Sequence, residues 1–156
     1  MQIMDQRAEE IIKAFPALQY DEGFLLTSPE NPDYNCIAWA YGTDKCWMWP
    51  ENEYDGVSTW PNDYTGSPDI EAFMKAFADA GYEECENAEQ EPMYTKIALY
   101  TYPHTQECTH AARQLPNGLW TSKLGSSYDI QHSTTYVIQG RLYGNVYCLM
   151  KKKMTQ

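Results

Sequence analysis

Three residues set far apart in the chain carry the types that thiol chemistry requires: Cys36, His110 and Asp129. A cysteine nucleophile needs a base within hydrogen-bond reach, and the base needs a third group to orient it. Cys36 lies in Tyr34-Asn35-Cys36-Ile37-Ala38-Trp39-Ala40-Tyr41-Gly42, an abruptly apolar run that follows the breaker-rich Ser28 to Asp33. Asp33 or Asn35 can cap a helix there by accepting from the free N–H groups of its first turn. Cys36 then falls in that turn, where the positive end of the helix dipole is expected to lower the thiol's pKa. His110 is the best placed of the three histidines, because it opens the segment Thr109 to Leu115 and has small neighbours in Ala111 and Ala112. His104 follows Pro103 in a polar loop and reads as exposed. His132 ends the segment over 126–132, which reads as a connection. Asp129 ranks first as the orienting group; Ser122 is the runner-up and His132 could serve the same role.

Each candidate also has a plainer reading. Free cysteine is among the most buried residue types, so Cys36 can be a core residue and nothing more. His110 can be a hydrogen-bonded structural histidine. Cys108 and His110 stand two apart, but two ligands are too few for zinc, and no metal is expected.

The elements that must position these residues follow from periodicity. Residues 5 to 15 predict a helix, with Ala8, Ile11, Ile12 and Phe15 on one stripe and Pro16 beyond it. From Gly42 to Pro68 the chain is irregular, carrying Trp47, Trp49, Tyr54, Trp60 and Tyr64 among Asn, Asp and Gly. So long a loop is usually functional or packed by its own side chains, and packing is the favoured reading. Ser67-Pro68 predicts a capped helix start, with Ile70, Phe73, Met74 and Phe77 as its apolar stripe and Gly81 as its end. Glu83 to Pro92 is acidic and reads as a solvated connection. Strands are expected over Lys96–Tyr102, Thr109–Leu115, Leu119–Leu124, Thr135–Gln139 and Tyr143–Met150, with Asn117-Gly118 as a hairpin turn. Helices first and antiparallel strands later predict an α+β domain.

Bulk composition narrows the function. A chain of 156 residues is expected to form one domain over 1–156, and its net charge of -11 argues against nucleic acid or an anionic membrane as partner. The five cysteines form no CxxC pair, which predicts reduced thiols in a cytoplasmic protein. No leader or membrane-spanning stretch is read from the sequence; an effector exported without a signal peptide would look the same.

The order of these residues resembles the papain-like superfamily: Cys on a helix start, then His opening a strand, then a polar residue on or after the next strand. In its short form it looks most like the NlpC/P60 and CHAP amidases, where a strand carrying the His also leads into a hairpin. Three blocks look like an uncharacterised bacterial domain family: Asn35 to Ala40, Thr109 to Leu115, and Trp120 to Gly125 running on to His132. The resemblance implies a small papain-like α+β domain and a thiol-dependent hydrolase or acyl transferase acting on an amide or related acyl bond. Cys36 would attack, His110 would carry the proton and Asp129 would orient the imidazole. The Cys36 N–H and the Asn35 amide would stabilise the oxyanion, with no cofactor. Where NlpC/P60 enzymes hold their third polar residue, this chain has Ser122. The expected partner is a peptide-like or acyl substrate. The rival expectation is a catalytically inactive acidic protein that binds a protein partner, as an inhibitor or regulator.

Overall fold

The computed structural model describes residues 6–51, 58–125 and 127–154; Asp5, Tyr54 and Ser126, which the sequence reading touches, lie outside them. Helix α1 (Gln6–Ala14) buries Ala8 and Ile11, and Pro16 opens a short 3-10 turn over Pro16–Tyr20. Strand β1 (Leu25–Leu26) is followed by α2 (Cys36–Tyr41), by the strands β2 (Trp47–Met48) and β3 (Ser58–Thr59), and by α3 (Ile70–Asp79). Then come β4 (Glu83–Cys85), β5 (Tyr94–Thr101), β6 (Cys108–Gln114), β7 (Trp120–Lys123) and β8 (Asp129–His132). A 3-10 turn (Thr135–Ile138) precedes the last strand, β9 (Asn145–Lys153). Among the described residues seven strands form one antiparallel sheet in the order β1-β8-β7-β6-β5-β9-β4. The fold is mixed α/β, with β2 and β3 as a separate parallel pair.

Strand alternation divides the core in two. Ile97 and Leu99 of β5 and Ala111 of β6 face α2 and α3, where Ile37, Ala38, Ile70, Phe73 and Phe77 are buried. Ala98 and Tyr100 of β5, Ala112 of β6 and Trp120 of β7 face the other way, onto Ile11, Phe15, Leu18 and Ile138. The tryptophan-rich loop packs on the first core: the rings of Trp49 and Trp60 stand edge-on to Phe73 at 5.3 and 4.9 Å.

Several elements differ from the sequence expectation. Residues 129–132 form a strand, because β7 and β1 pair with them from both sides. Thr135–Ile138 is a 3-10 turn; an apolar run this short fits either structure by composition. The acidic segment begins with edge strand β4, where Glu83 sits opposite Lys151, a favourable opposite-charge pair. The cap of α3 is Asp69 and not Ser67. The Pro68 carbonyl accepts from Cys108 N–H and Ile70 N–H donates to the Gln106 carbonyl, so the chain stays extended up to Asp69. No described helix is long and apolar enough to cross a membrane.

Candidate functional site

Asn35 fixes the start of α2. Its Oδ1 accepts from Ala38 N–H at 3.1 Å and from Met48 N–H at 3.0 Å, and its Nδ2 donates to the Met48 carbonyl at 2.9 Å. The carboxamide is thus committed to capping and to clamping β2, which leaves the first-turn N–H groups as the oxyanion donors to consider. Gly42 ends the helix at φ +113°, a conformation open mainly to glycine. Trp39 Nε1 donates to Thr121 Oγ1 at 2.9 Å and Arg113 Nε donates to the Trp39 carbonyl at 3.2 Å, tying α2 to β6 and β7.

The Cys36 thiol meets the backbone N–H groups of Ala111, Ile37 and Cys36, all of which favour the thiolate, as does the charge of Lys123. Burial outweighs them and pushes the thiol up to about 11. The expected lowering by the helix start is therefore reversed: a six-residue helix cannot offset full desolvation of the sulfur. A cavity of about 340 Å³ opens beside the thiol, lined by Asn35, Cys36, Trp47, Trp49, Thr109 and Tyr143 among others.

On the opposite face of the sheet His110, Ser122 and His132 form a buried relay. His110 Nε2 lies 2.9 Å from Ser122 Oγ, which lies 2.8 Å from His132 Nε2, and His132 Nδ1 lies 2.8 Å from the Thr134 carbonyl. A carbonyl only accepts, so His132 Nδ1 carries a proton and donates it. Burial pulls His132 down to about 4, so near neutral pH its Nε2 is bare and accepts from the Ser122 hydroxyl. Ser122 has then spent its one proton, and His110 Nε2–H must donate to Ser122 Oγ. His110 Nδ1 is left as a bare lone pair, buried and without a hydrogen-bond partner among the described residues. Burial, then the neighbouring His132, holds the His110 pKa well below its ordinary value. The ring of Tyr143 stacks on His110 at 3.9 Å, and Tyr100 stands edge-on to it at 5.3 Å.

The sequence-predicted residues divide between these two faces. Asp129 pairs with Lys123 across β7 and β8, on the α2 side, and its Oδ2 accepts from the Tyr34 hydroxyl at 2.6 Å. It makes no hydrogen bond to His110; Ser122 occupies that position, with His132 behind it. His132 faces Ser122 because β7 and β8 pair Trp120 with His132 and Ser122 with Ile130, placing all four on one face. Cys108 packs in the α2–α3 core and its thiol donates to the His110 carbonyl at 3.7 Å, whereas the His110 ring lies against Tyr100 of the other core. His104 is exposed. No hydrogen bond joins Cys36 to His110 among the described residues; the thiol reaches β6 at Ala111, one residue away. Tyr143 and Thr134 escape sequence reasoning, since only tertiary packing brings them to the relay.

This architecture defines a mixed α/β protein with an antiparallel sheet and a buried histidine–serine–histidine relay. Residues 25–151 match the model of a domain family of unknown function, DUF7689, and the chain belongs to that family. No curated protein and no solved structure matches it.

Proposed function

We propose that this protein is a thiol-dependent hydrolase or acyl transferase acting on an amide or related acyl bond, with a small papain-like arrangement of its site. The observation that carries the reading is the free Nδ1 of His110. An unpaired buried nitrogen costs about 1–3 kcal/mol, and the role of a general base gives a reason for that cost at His110. Here the relay supports the tautomer a general base needs. Ser122 and His132 take the orienting role in this reading, in place of Asp129.

In the proposed step Cys36 Sγ attacks the acyl carbon as the thiol proton passes to His110 Nδ1. The S–C bond forms, and the bond to the leaving group breaks as the imidazolium returns the proton to that group. Water or another acceptor then cleaves the thioester and restores the thiol. The first-turn N–H of Cys36 would face the developing oxyanion. With the thiol near 11 and the imidazole depressed, the resting pair is neutral, and the reading requires the His110 ring, which packs on the face of the sheet away from α2, to come within reach of the thiol when substrate binds.

p-Nitrophenyl acetate tests this. Acetylation of Cys36, detected as one acetyl per chain by mass spectrometry and abolished in His110→Ala, supports the reading. Acetylation spread over lysines with Cys36 untouched sinks it. The raised thiol pKa favours a second reading, an inactive acidic binding protein, to which exposed Tyr20 and Tyr136 would contribute contact surface. That reading gains if Cys36 stays unmodified at every pH at which the fold survives.

A further inference from the structure

We infer that Tyr143 is a positioning residue for the His110 imidazole, an inference that rests on the thiol-hydrolase reading and adds a component to it. One hydrogen bond at Nε2 fixes where that nitrogen points but leaves the ring free to rock out of plane. Tyr143 supplies the missing restraint: its ring lies 3.9 Å from the imidazole with 9° between planes, while Tyr100 closes on the same ring at 61°. Nδ1 is thereby aimed by packing, since no donor or acceptor among the described residues holds it.

The fold in turn fixes Tyr143. Its carbonyl accepts from Thr109 Oγ1, one residue before His110. Gly140 and Gly144 exchange backbone hydrogen bonds of 3.0 and 2.7 Å around the turn that presents it. Gly144 has φ +72°, and a Cβ there would run into the Thr101 carbonyl, so this approach of the turn to β5 is open only to glycine. Phe15, which caps the 3-10 turn after α1, supports the ring at 5.2 Å. Tyr143 also lines the cavity beside Cys36, so the ring stacked on His110 belongs to the lining of that cavity. What it contributes is its flat face; the hydroxyl has no part in holding the imidazole.

Ring-proton NMR of His110 with iodoacetamide labelling of Cys36 tests the assignment. In the wild type the His110 ring protons should be shifted upfield by the stacked tyrosine. Tyr143→Phe should keep that shift and label within about twofold of wild type, whereas Tyr143→Leu should lose the shift and label about tenfold more slowly, the scale of effect expected from misaligning a catalytic group. Unshifted His110 protons in the wild type would overturn the assignment without any variant. So would a Tyr143→Leu protein that labels at the wild-type rate. If His110→Ala does not slow labelling, the hydrolase reading fails instead; an upfield shift kept by Phe and lost by Leu would still support Tyr143 as the residue that holds the ring.

Discussion

Asp129 and His132 stand three residues apart on β8, yet they belong to different systems. Asp129 faces α2, where its Oδ2 takes a 2.6 Å bond from Tyr34. Lys123, beside it, is held by the Asn31 and Ser127 carbonyls and lies over the Tyr34 ring at 4.7 Å. His132 faces the other core and continues through Ser122 to His110, with one direction of proton donation set by the Thr134 carbonyl. The comparison teaches that strand parity, more than charge, decides which side chain reaches the His110 imidazole. The charged group anchors α2; the neutral chain sets a tautomer.

The sharpest way to break this contrast is His110→Ala. On the proposed hydrolase reading, loss of this base should slow Cys36 acylation by about 10²- to 10⁴-fold, measured as the rate of acetylation by p-nitrophenyl acetate. A loss below tenfold would place the base elsewhere.

The relay should also show in stability against pH. The folded-state pKa of His132, about 4, lies below its ordinary 6.5. The unfolded chain therefore binds the extra proton between those values, and stability present above pH 6.5 is lost as pH falls toward 4. For His132 this amounts to about 3 kcal/mol, read by urea denaturation at a series of pH values. His132→Gln should flatten that slope relative to wild type, and an unchanged slope would mean that His132 is not the buried neutral group described.

Ser122→Ala removes the link between the two imidazoles and leaves a buried nitrogen unpaired on each. A cost of about 1–3 kcal/mol in unfolding free energy is expected, together with a slower acylation of Cys36. Asp129→Asn should give the smallest effect on rate, within about twofold, since it alters only the Tyr34 side of β8. A rate loss in the aspartate variant larger than in the serine variant would reverse the comparison.

Much of the frame was legible in sequence because it is local. The cap at Asn35, the apolar run behind it and the stop at Gly42 define α2 within eight residues. Pro116-Asn117-Gly118 likewise makes the β6–β7 turn, with Asn117 Oδ1 accepting from Leu119 N–H and Gly118 at φ +88°. What stayed hidden depends on register. Asp129-Ile130-Gln131-His132 is too short and too polar to announce a strand, and only its pairing with Ser122 and Trp120 turns His132 inward. Asp129 is the natural choice for the orienting role because it follows the hairpin and the returning chain could bring it beside His110, but sequence order cannot say which face of β8 it occupies. The state of the thiol is hidden for a related reason: the dipole is visible in sequence, while the burial that overrides it is not.

The most direct test of the account is the protonation state of His110 itself. Nitrogen-15 NMR of the imidazole at neutral pH should find Nε2 protonated and Nδ1 bare, with His132 neutral and protonated at Nδ1. A His110 carrying its proton on Nδ1, or present as imidazolium, would contradict the relay and the base assigned to it.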